Sequence, residues 1–386
     1  MEYNNILSDM QFGFRKGRST QLPIHLLQSA VNEYKAQKLI SILSTRDVYK
    51  AFDTVWWRGL LYKLNTLPGD QLEFVSLLYN YLSRRVVEPH FQGLKGGDFI
   101  PKSGVPQGSS LGPILYLVFV NDIPEPASND TIISRFADDI VHFTVSSTKK
   151  SRKHGMKTTD IIRKTQRELT RTLKWEHQWK IKSNTDKNEL LIHGALTQTL
   201  LAQGGITVNN EALTPTAHIK ILGYLHNRSN THSLQISQLA GKAKSQLAKL
   251  ARFRSAPQGI KLVLYKMLIR PLLEYPSIIL PTTSHHQLNK LQVVQNKALR
   301  FVYNIKWDDF VTTEQLHHRA GIPTIKDRLL HLQSRGLERI EQLVNPDNRD
   351  IIYRYSDYSI EEEPFNEPPT TLANIYRKFR LFLRPP

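Results

Sequence analysis

Phe136-Ala137-Asp138-Asp139, with Ile132-Ile133 before it and Ile140-Val141 after it, narrows what the chain can fold into more than any other stretch. Strand residues alternate faces, so adjacent carboxylates between β-branched residues serve one site only where the chain turns, and the pattern predicts a hairpin tip. Apolar walls with an acidic tip point to a metal site. Hard cations such as Mg²⁺ take oxygen ligands, and paired Mg²⁺ ions take a third carboxylate from elsewhere in the chain. Asp47 is the candidate. It stands where the strand-like run Leu39-Ile40-Ser41-Ile42-Leu43 ends, ahead of a helix expected from about Thr54 to Leu64.

The 386 residues favour two or three lobes with a sizeable core. Lys and Arg number 52 against 34 Asp and Glu, a net +18 that favours a polyanion such as nucleic acid. With no cysteine, disulfides and cysteine-containing zinc modules are excluded together. The run Ile114 to Val120 is too short to span a bilayer, and the polar start Met1-Glu2-Tyr3-Asn4-Asn5 does not resemble a signal peptide. His285-His286 and His317-His318 are helical neighbours that do not converge on one zinc ion.

In chain order, Gln11 to Thr20 reads as a glycine-punctuated basic turn, an anion cradle or a solvated surface turn, followed by helical spacing from Leu22 to Tyr34. Apolar helical stretches around Leu72 to Leu82 and a strand pair near Val86-Val87-Glu88 and Phe99-Ile100 read as structural. The glycine-rich turn Gly104 to Pro113 feeds the helix Ile114 to Val120 and offers unpaired amides to a ligand. A basic loop, Lys149 to Lys157, precedes a helix from roughly Asp160 to Lys180. Ile162, Leu169 and Leu173 are its expected core face, and Arg163, Lys164, Arg167, Arg171 and Lys174 read as an ordinary solvated face. A turn from Ile181 leads into a strand ending near Ile192, and Ile219 to Leu225 reads as another strand with a central glycine. Three basic helices follow, Leu239 to Phe253, Ile260 to Leu273 and Gln287 to Val302, then a mixed region with a loop at Glu361-Glu362-Glu363-Pro364-Phe365.

These blocks, in this order, resemble the reverse transcriptase of a non-LTR (LINE-type) retrotransposon. The resemblance rests on Gln11-Phe12-Gly13-Phe14-Arg15, Asp47 with Ala51-Phe52-Asp53-Thr54-Val55-Trp56, Gly104-Val105-Pro106-Gln107-Gly108, Phe136-Ala137-Asp138-Asp139, Lys187 and Leu222-Gly223-Tyr224, and covers about residues 5 to 225. It implies an α+β right-hand polymerase: partial fingers over 1–35, a palm over 36–225 with a fingers segment at about 60–100, a helical thumb over 226–305, and a mixed extension over 306–386. The implied reaction is RNA-directed DNA synthesis from dNTPs on an RNA template and DNA primer, with two Mg²⁺ ions. By resemblance Asp47, Asp138 and Asp139 are metal ligands, and Lys187 is the general acid for departing pyrophosphate or else a surface lysine. Phe52 is the sugar gate or else plain core; Ala51, Gln107, Gly108 and Arg15 belong to the nucleotide pocket. Leu222, Gly223 and Tyr224 resemble the primer grip, and Asp53 resembles a helix-start residue.

The sequence departs from the family pattern at Arg46, where an apolar residue is usual. Its guanidinium either competes for Asp47 or points away. The chain begins inside the fingers and has neither an endonuclease nor a zinc knuckle, as an N-terminally truncated element product would. The alternatives are a catalytically inactive remnant that binds nucleic acid and a group II intron-type reverse transcriptase with maturase function. No membrane is expected; an intracellular setting, nuclear or in a cytoplasmic ribonucleoprotein, follows if the element is eukaryotic.

Overall fold

The computed structural model describes residues 6–68, 72–146, 154–194, 205–280, 283–306 and 308–342. They form two compact units, one of residues 6–23 and 34–216, the other of residues 24–33 and 217–342. The expected acidic loop near Glu361 lies outside the described residues.

The first unit is built on a five-stranded sheet. Its strands are β1 (Ser41–Asp47), β4 (Thr131–Phe136), β5 (Asp139–Val145), β6 (Glu189–His193) and β9 (Pro215–Thr216), in the order β4-β5-β1-β6-β9. Every pairing is antiparallel except β6 with β9. Two short hairpins accompany it, β2 (His90–Phe91) with β3 (Leu94–Lys95), and β7 (Ile206–Val208) with β8 (Glu211–Leu213). The α+β class expected from the sequence is present.

Alternation along β1 decides what the sheet presents. Arg46 pairs with Ile140 and Asp47 with Asp139, so the guanidinium and the carboxylates project from opposite faces. Helix α4 (Leu111–Val120) and helix α5 (His154–Gln178) take the Arg46 side. There Ile133 and Ile140 join Tyr116, Phe119, Trp175 and Trp179 in one buried cluster, while Ile42, Leu190 and Ile192 meet Ile161 and Leu169 in another. On the opposite face Tyr34, from helix α1 (Gln21–Ala36), packs on Phe143 with ring centroids 6.2 Å apart.

Four local expectations are corrected. Helix α2 spans Trp57–Asn65 rather than starting at Thr54, and its N-cap is Trp56, so Asp53 lies in the preceding turn and caps nothing. Helix α5 begins at His154, inside what read as a basic loop. Its buried face is partly polar: Ile161 and Leu169 are joined by Thr165, Glu168, Thr172 and Glu176, while Ile162 and Leu173 are only half-buried. Three of them are tolerated because partners meet them: Ala127 N–H donates to Glu168, Thr172 pairs with His142 at 3.0 Å and Glu176 accepts from Arg46. Finally, Ile219 to Leu225 is not one strand but a hairpin, β10 (His218–Ile221) and β11 (Tyr224–Asn227). Leu222 at φ 48° and Gly223 at φ 83° form its two-residue turn, the positive-φ geometry that matches strand twist. In the 72–100 region, helix α3 spans Leu72–Ser83 and Val87 bridges Phe99.

The second unit contains this last hairpin and a helical array. Its helices are α6 (Ser233–Leu250), α7 (Gln258–Leu264) running through a π turn at Tyr265–Ile269 into α8 (Arg270–Leu273), then α9 (His285–Tyr303), α10 (Thr313–Ala320) and α11 (Ile325–Gln342). Leu239, Ala243, Ile269, Leu291, Leu299, Leu316 and Leu329 share one apolar core, so residues beyond 305 are integral to it. A capping box at Thr312 and Gln315 starts α10. His317 is buried and bound to Ile322 O at 2.8 Å and Asn296 Oδ1 at 3.0 Å.

Candidate active site

Register sets three carboxylates at the same end of the sheet. Phe136 pairs with Asp139 across the β4–β5 hairpin, leaving Ala137 and Asp138 as the turn, and Asp139 pairs with Asp47 on the neighbouring strand. The tip expected from the sequence is where it should be. Ala137 sits at φ 56°, a strained position for a residue with a Cβ. The turn is held from outside. The Gln11 side-chain carbonyl accepts from Ala137 N–H at 3.0 Å and from Gly13 N–H at 2.9 Å. Phe12 N–H donates to Arg135 O at 2.8 Å, and Arg135 N–H donates to Met10 O at 2.9 Å, so this segment runs as an extra parallel edge along β4. A Cβ on Gly13 would lie 2.4 Å from Ala137 N, so only glycine fits.

The electrostatics record the crowding. Burial first, then Asp138 and Asp47, push the Asp139 carboxyl up to about 6. Asp138 is raised as well, by burial and by Asp47, with Lys187 opposing. The Lys187 ammonium, exposed, donates to Asp47 Oδ2 at 3.0 Å, and that contact raises its pKa. It is placed there by a 3₁₀ turn, Thr185–Lys187, whose lead residue Asn184 donates its N–H to Asp47 O. Among the described residues no three Asp, Glu or His side chains close on a single point as they stand. The donor set nevertheless suits a hard divalent cation. It is all oxygen, brought together by backbone register, and carries mutual repulsion that a cation would relieve.

Arg46 points away from the site. Its guanidinium, 1% exposed, donates to Glu176 at 2.6, 2.8 and 3.1 Å and to Ser183 Oγ at 2.8 Å. It therefore anchors α5 beneath the sheet, and of the two orientations open from the sequence this is the one adopted. Burial, then Arg46 and Arg135, push His142 down to about 3 and keep it neutral.

Beside the carboxylates lies an aromatic stack. Phe52 is half-buried, with Tyr116 parallel behind it at 4.9 Å and Phe14 edge-on at 5.8 Å. Tyr116 has a buried hydroxyl raised well above its usual range by burial and then by Asp138, Asp47 and Asp139. The neighbouring glycine loop is tied to the turn after β1. Val105 N–H donates to Phe52 O at 2.8 Å, Gly104 N–H to Val55 O at 2.9 Å, and Gln107 Nε2 to Asp53 Oδ1 at 2.8 Å. Gly104, at φ 88°, abuts the Asp53 backbone, where a Cβ would come within 2.7 Å of Asp53 O. Ala51 is buried and Gly108 lies at φ 81° with open space where a Cβ would be. Arg15 spends its guanidinium on the carbonyls of Ser8 at 2.7 Å and Gln11 at 3.4 Å, bracing the loop that clasps the hairpin.

Leu222, Gly223 and Tyr224 belong to the second unit. Tyr275 Oη donates to Leu222 O, and the Tyr224 hydroxyl pairs with His232 Nδ1 at 2.7 Å, so side chains within that unit lock the turn. Reasoning from the sequence missed the Gln11–Ala137 clasp, Tyr116 behind Phe52, and the Arg46–Glu176 anchor. The first had a signal in the block Gln11-Phe12-Gly13; the other two depend on long-range contacts.

A sequence profile of the family described as reverse transcriptase (RNA-dependent DNA polymerase) matches residues 1–226. The RNA-directed DNA polymerase from mobile element jockey of Drosophila melanogaster is 27% identical over 341 residues, covering 86% of this chain and 35% of that protein. The probable RNA-directed DNA polymerase from transposon X-element of the same organism is 27% identical over 351 residues, covering 89% and 37%. The chain thus spans about a third of the length of the curated relatives it matches. Among solved structures, telomerase from Candida albicans aligns with 91% of this chain and 56% of that chain at 11% identity and a TM-score of 0.39.

Proposed function

The chain belongs to the reverse transcriptase (RNA-dependent DNA polymerase) family, and from that premise we propose that it is the polymerase core of a non-LTR retrotransposon, adding dNTPs to a DNA primer on an RNA template. The observation carrying this reading is the register that sets Asp47 against Asp139, with Asp138 in the adjoining turn. In this reading the first unit holds the palm of a right-hand polymerase and the helices of the second hold its thumb.

Asp47 and Asp138 would hold two Mg²⁺ ions, with Asp139 beside them. When bound, the ions would lower the pKa of the primer 3′-hydroxyl and neutralise the triphosphate and the leaving oxygen. The Gln11 clasp fixes the backbone that carries Asp138. Lys187 keeps its proton, since Asp47 raises its pKa, and can donate it as pyrophosphate departs. The Phe52 ring, backed by Tyr116, would block a 2′-hydroxyl sterically, while Ala51, Gln107, Gly108 and Arg15 shape or brace the nucleotide pocket. Leu222, Gly223 and Tyr224 would hold the primer end. The partners would be RNA template, DNA primer and dNTPs, in an intracellular ribonucleoprotein setting. No helix among the described residues is long and apolar enough to cross a membrane.

Primer extension on an RNA template with Mg²⁺ tests this. Incorporation of dNTPs with rejection of rNTPs is expected, with Phe52→Val relaxing that rejection. Absence of incorporation alongside tight binding of the hybrid would assign the chain to a nucleic-acid-binding remnant instead.

A further inference from the structure

Arg163, Arg167, Arg171 and Lys174 recur along α5 at intervals of four, four and three residues, which places them on one face of the helix. That face is opposite the one bearing Ile161, Thr172 and Glu176, which packs on the sheet. The four cations line a groove of about 810 Å³ whose other side includes Gly205 at the entry to β7. Gln166 fixes the groove's shape, since its side-chain carbonyl accepts from Thr207 N–H at 2.8 Å and its amide donates to Thr207 O at 3.0 Å. None of the described residues lining it is acidic. The nearby acids are already engaged: Asp160 and Asp130 hold Lys164 at 2.7 and 2.6 Å, and buried Glu168 receives Arg171 at 3.0 Å. Arg163, Arg167 and Lys174 are exposed, and among the described residues neither Arg163 nor Lys174 meets a carboxylate.

We propose that this groove binds a single strand of nucleic acid outside the catalytic cleft. The sheet separates it from the carboxylates, because α5 lies on the Arg46 face and Asp47 projects from the other. The spacing identifies the occupant. A rise of 1.5 Å per residue sets the charges at Arg163, Arg167 and Arg171 about 6 Å apart along the axis, a linear array suited to a polymer carrying one charge per unit. A free phosphate or nucleotide needs donors converging on a point, whereas these cations are spread along several turns of one helix. An anionic membrane would favour exposed apolar residues beside the basic ones, whereas among the described lining residues Ile162 is the only large apolar side chain, and it is half-buried.

The test uses the full chain already loaded with a short RNA–DNA hybrid, so that the cleft is filled, and labelled poly(U) RNA as the probe. Fluorescence anisotropy compares wild type with the triple variant Arg163→Glu, Arg167→Glu, Lys174→Glu; Arg171 is left alone because it also donates to Glu125 O. Poly(U) affinity should fall at least tenfold. The slope of log affinity against log salt should shrink by about 2, from three phosphate contacts at roughly 0.7 each. Binding of the hybrid, nucleotide addition on it and the far-ultraviolet circular dichroism should be unchanged, and a triple Gln variant should show a smaller fall in the same direction. Unchanged poly(U) affinity and salt slope would overturn the proposal. So would loss of binding to phosphatidylserine vesicles with poly(U) binding intact. Because the readout is binding, it stands whether or not the wild-type chain incorporates nucleotides.

Discussion

Gly13→Ala is a one-methyl perturbation aimed at the hairpin of Asp138 and Asp139 from outside it. The new Cβ would sit 2.4 Å from Ala137 N, about 1 Å short of ordinary contact, and the atom it meets is backbone rather than a flexible side-chain end. Either the segment carrying Gln11 retreats or the turn does, and both stretch the bond between Ala137 N–H and Gln11, now 3.0 Å. Overpacking of this kind costs about 1–3 kcal/mol in stability. A displacement of about 1 Å at a reacting group costs on the order of 100-fold in rate, and Asp138 is the next residue along the turn. The expected result is therefore a disproportionate loss: a modest fall in melting temperature, with single-turnover nucleotide addition down about 100-fold and hybrid binding retained. Thermal melts, primer extension under saturating hybrid and an anisotropy titration with labelled hybrid read the three quantities separately. Wild-type addition by a folded Gly13→Ala protein would refute the claim that this glycine sets the position of Asp138.

The remaining expectations are these. Glu176→Gln should destabilise the fold by about 3–5 kcal/mol, because it leaves the Arg46 charge buried and uncompensated; a joint Arg46→Met, Glu176→Met replacement should recover much of this in urea unfolding. The Asp139 carboxyl is raised to about 6 in the folded chain, so the folded state holds its proton more tightly than the unfolded state, and the stability this confers is full below about pH 4 and lost as pH rises through 6. With chelator present, Asp139→Asn should accordingly raise the melting temperature at pH 8 and leave it nearly unchanged at pH 4; a gain confined to pH 4 would reverse the sign. Asp53→Ala should cost only about 0.5–1.5 kcal/mol, from the hydrogen bond that Gln107 loses, and should raise the KM for dNTP more than it lowers kcat; a dead enzyme would give Asp53 a larger part.

How much was legible depended on the range of the interactions. The hairpin tip, the strand ending at Asp47 and the three basic helices follow from local periodicity, and the structure has them at or near the expected residues. The start of α2 was misjudged because Asp53 suits an N-cap by type, whereas the chain uses it one turn earlier to receive Gln107. The hairpin at Leu222-Gly223 read as one strand because a leucine at positive φ is not a turn signal; the Tyr275 contact to its carbonyl helps hold it there. At Arg46 the sequence left two orientations open. The choice rests on Glu176, 130 residues away, and on strand alternation, which places neighbours on opposite faces. The inward face of α5 was misread for the same reason, since Thr172 and Glu176 are polar by type and become core only when His142 and Arg46 meet them.

The central claim is that Asp47 and Asp138 act as one unit holding the reacting centre. Nucleotide addition on an RNA template should be measured for Asp47→Ala, Asp138→Ala and the double variant. On the proposed reading each carboxylate serves the same pair of ions, so either single loss should disable the site and the second should remove little more. All three should be silent to about the same extent, with hybrid binding nearly intact, since on the proposed reading it would rest on basic groups away from the carboxylates. An active Asp47→Ala protein, or losses that multiply in the double variant, would contradict the account.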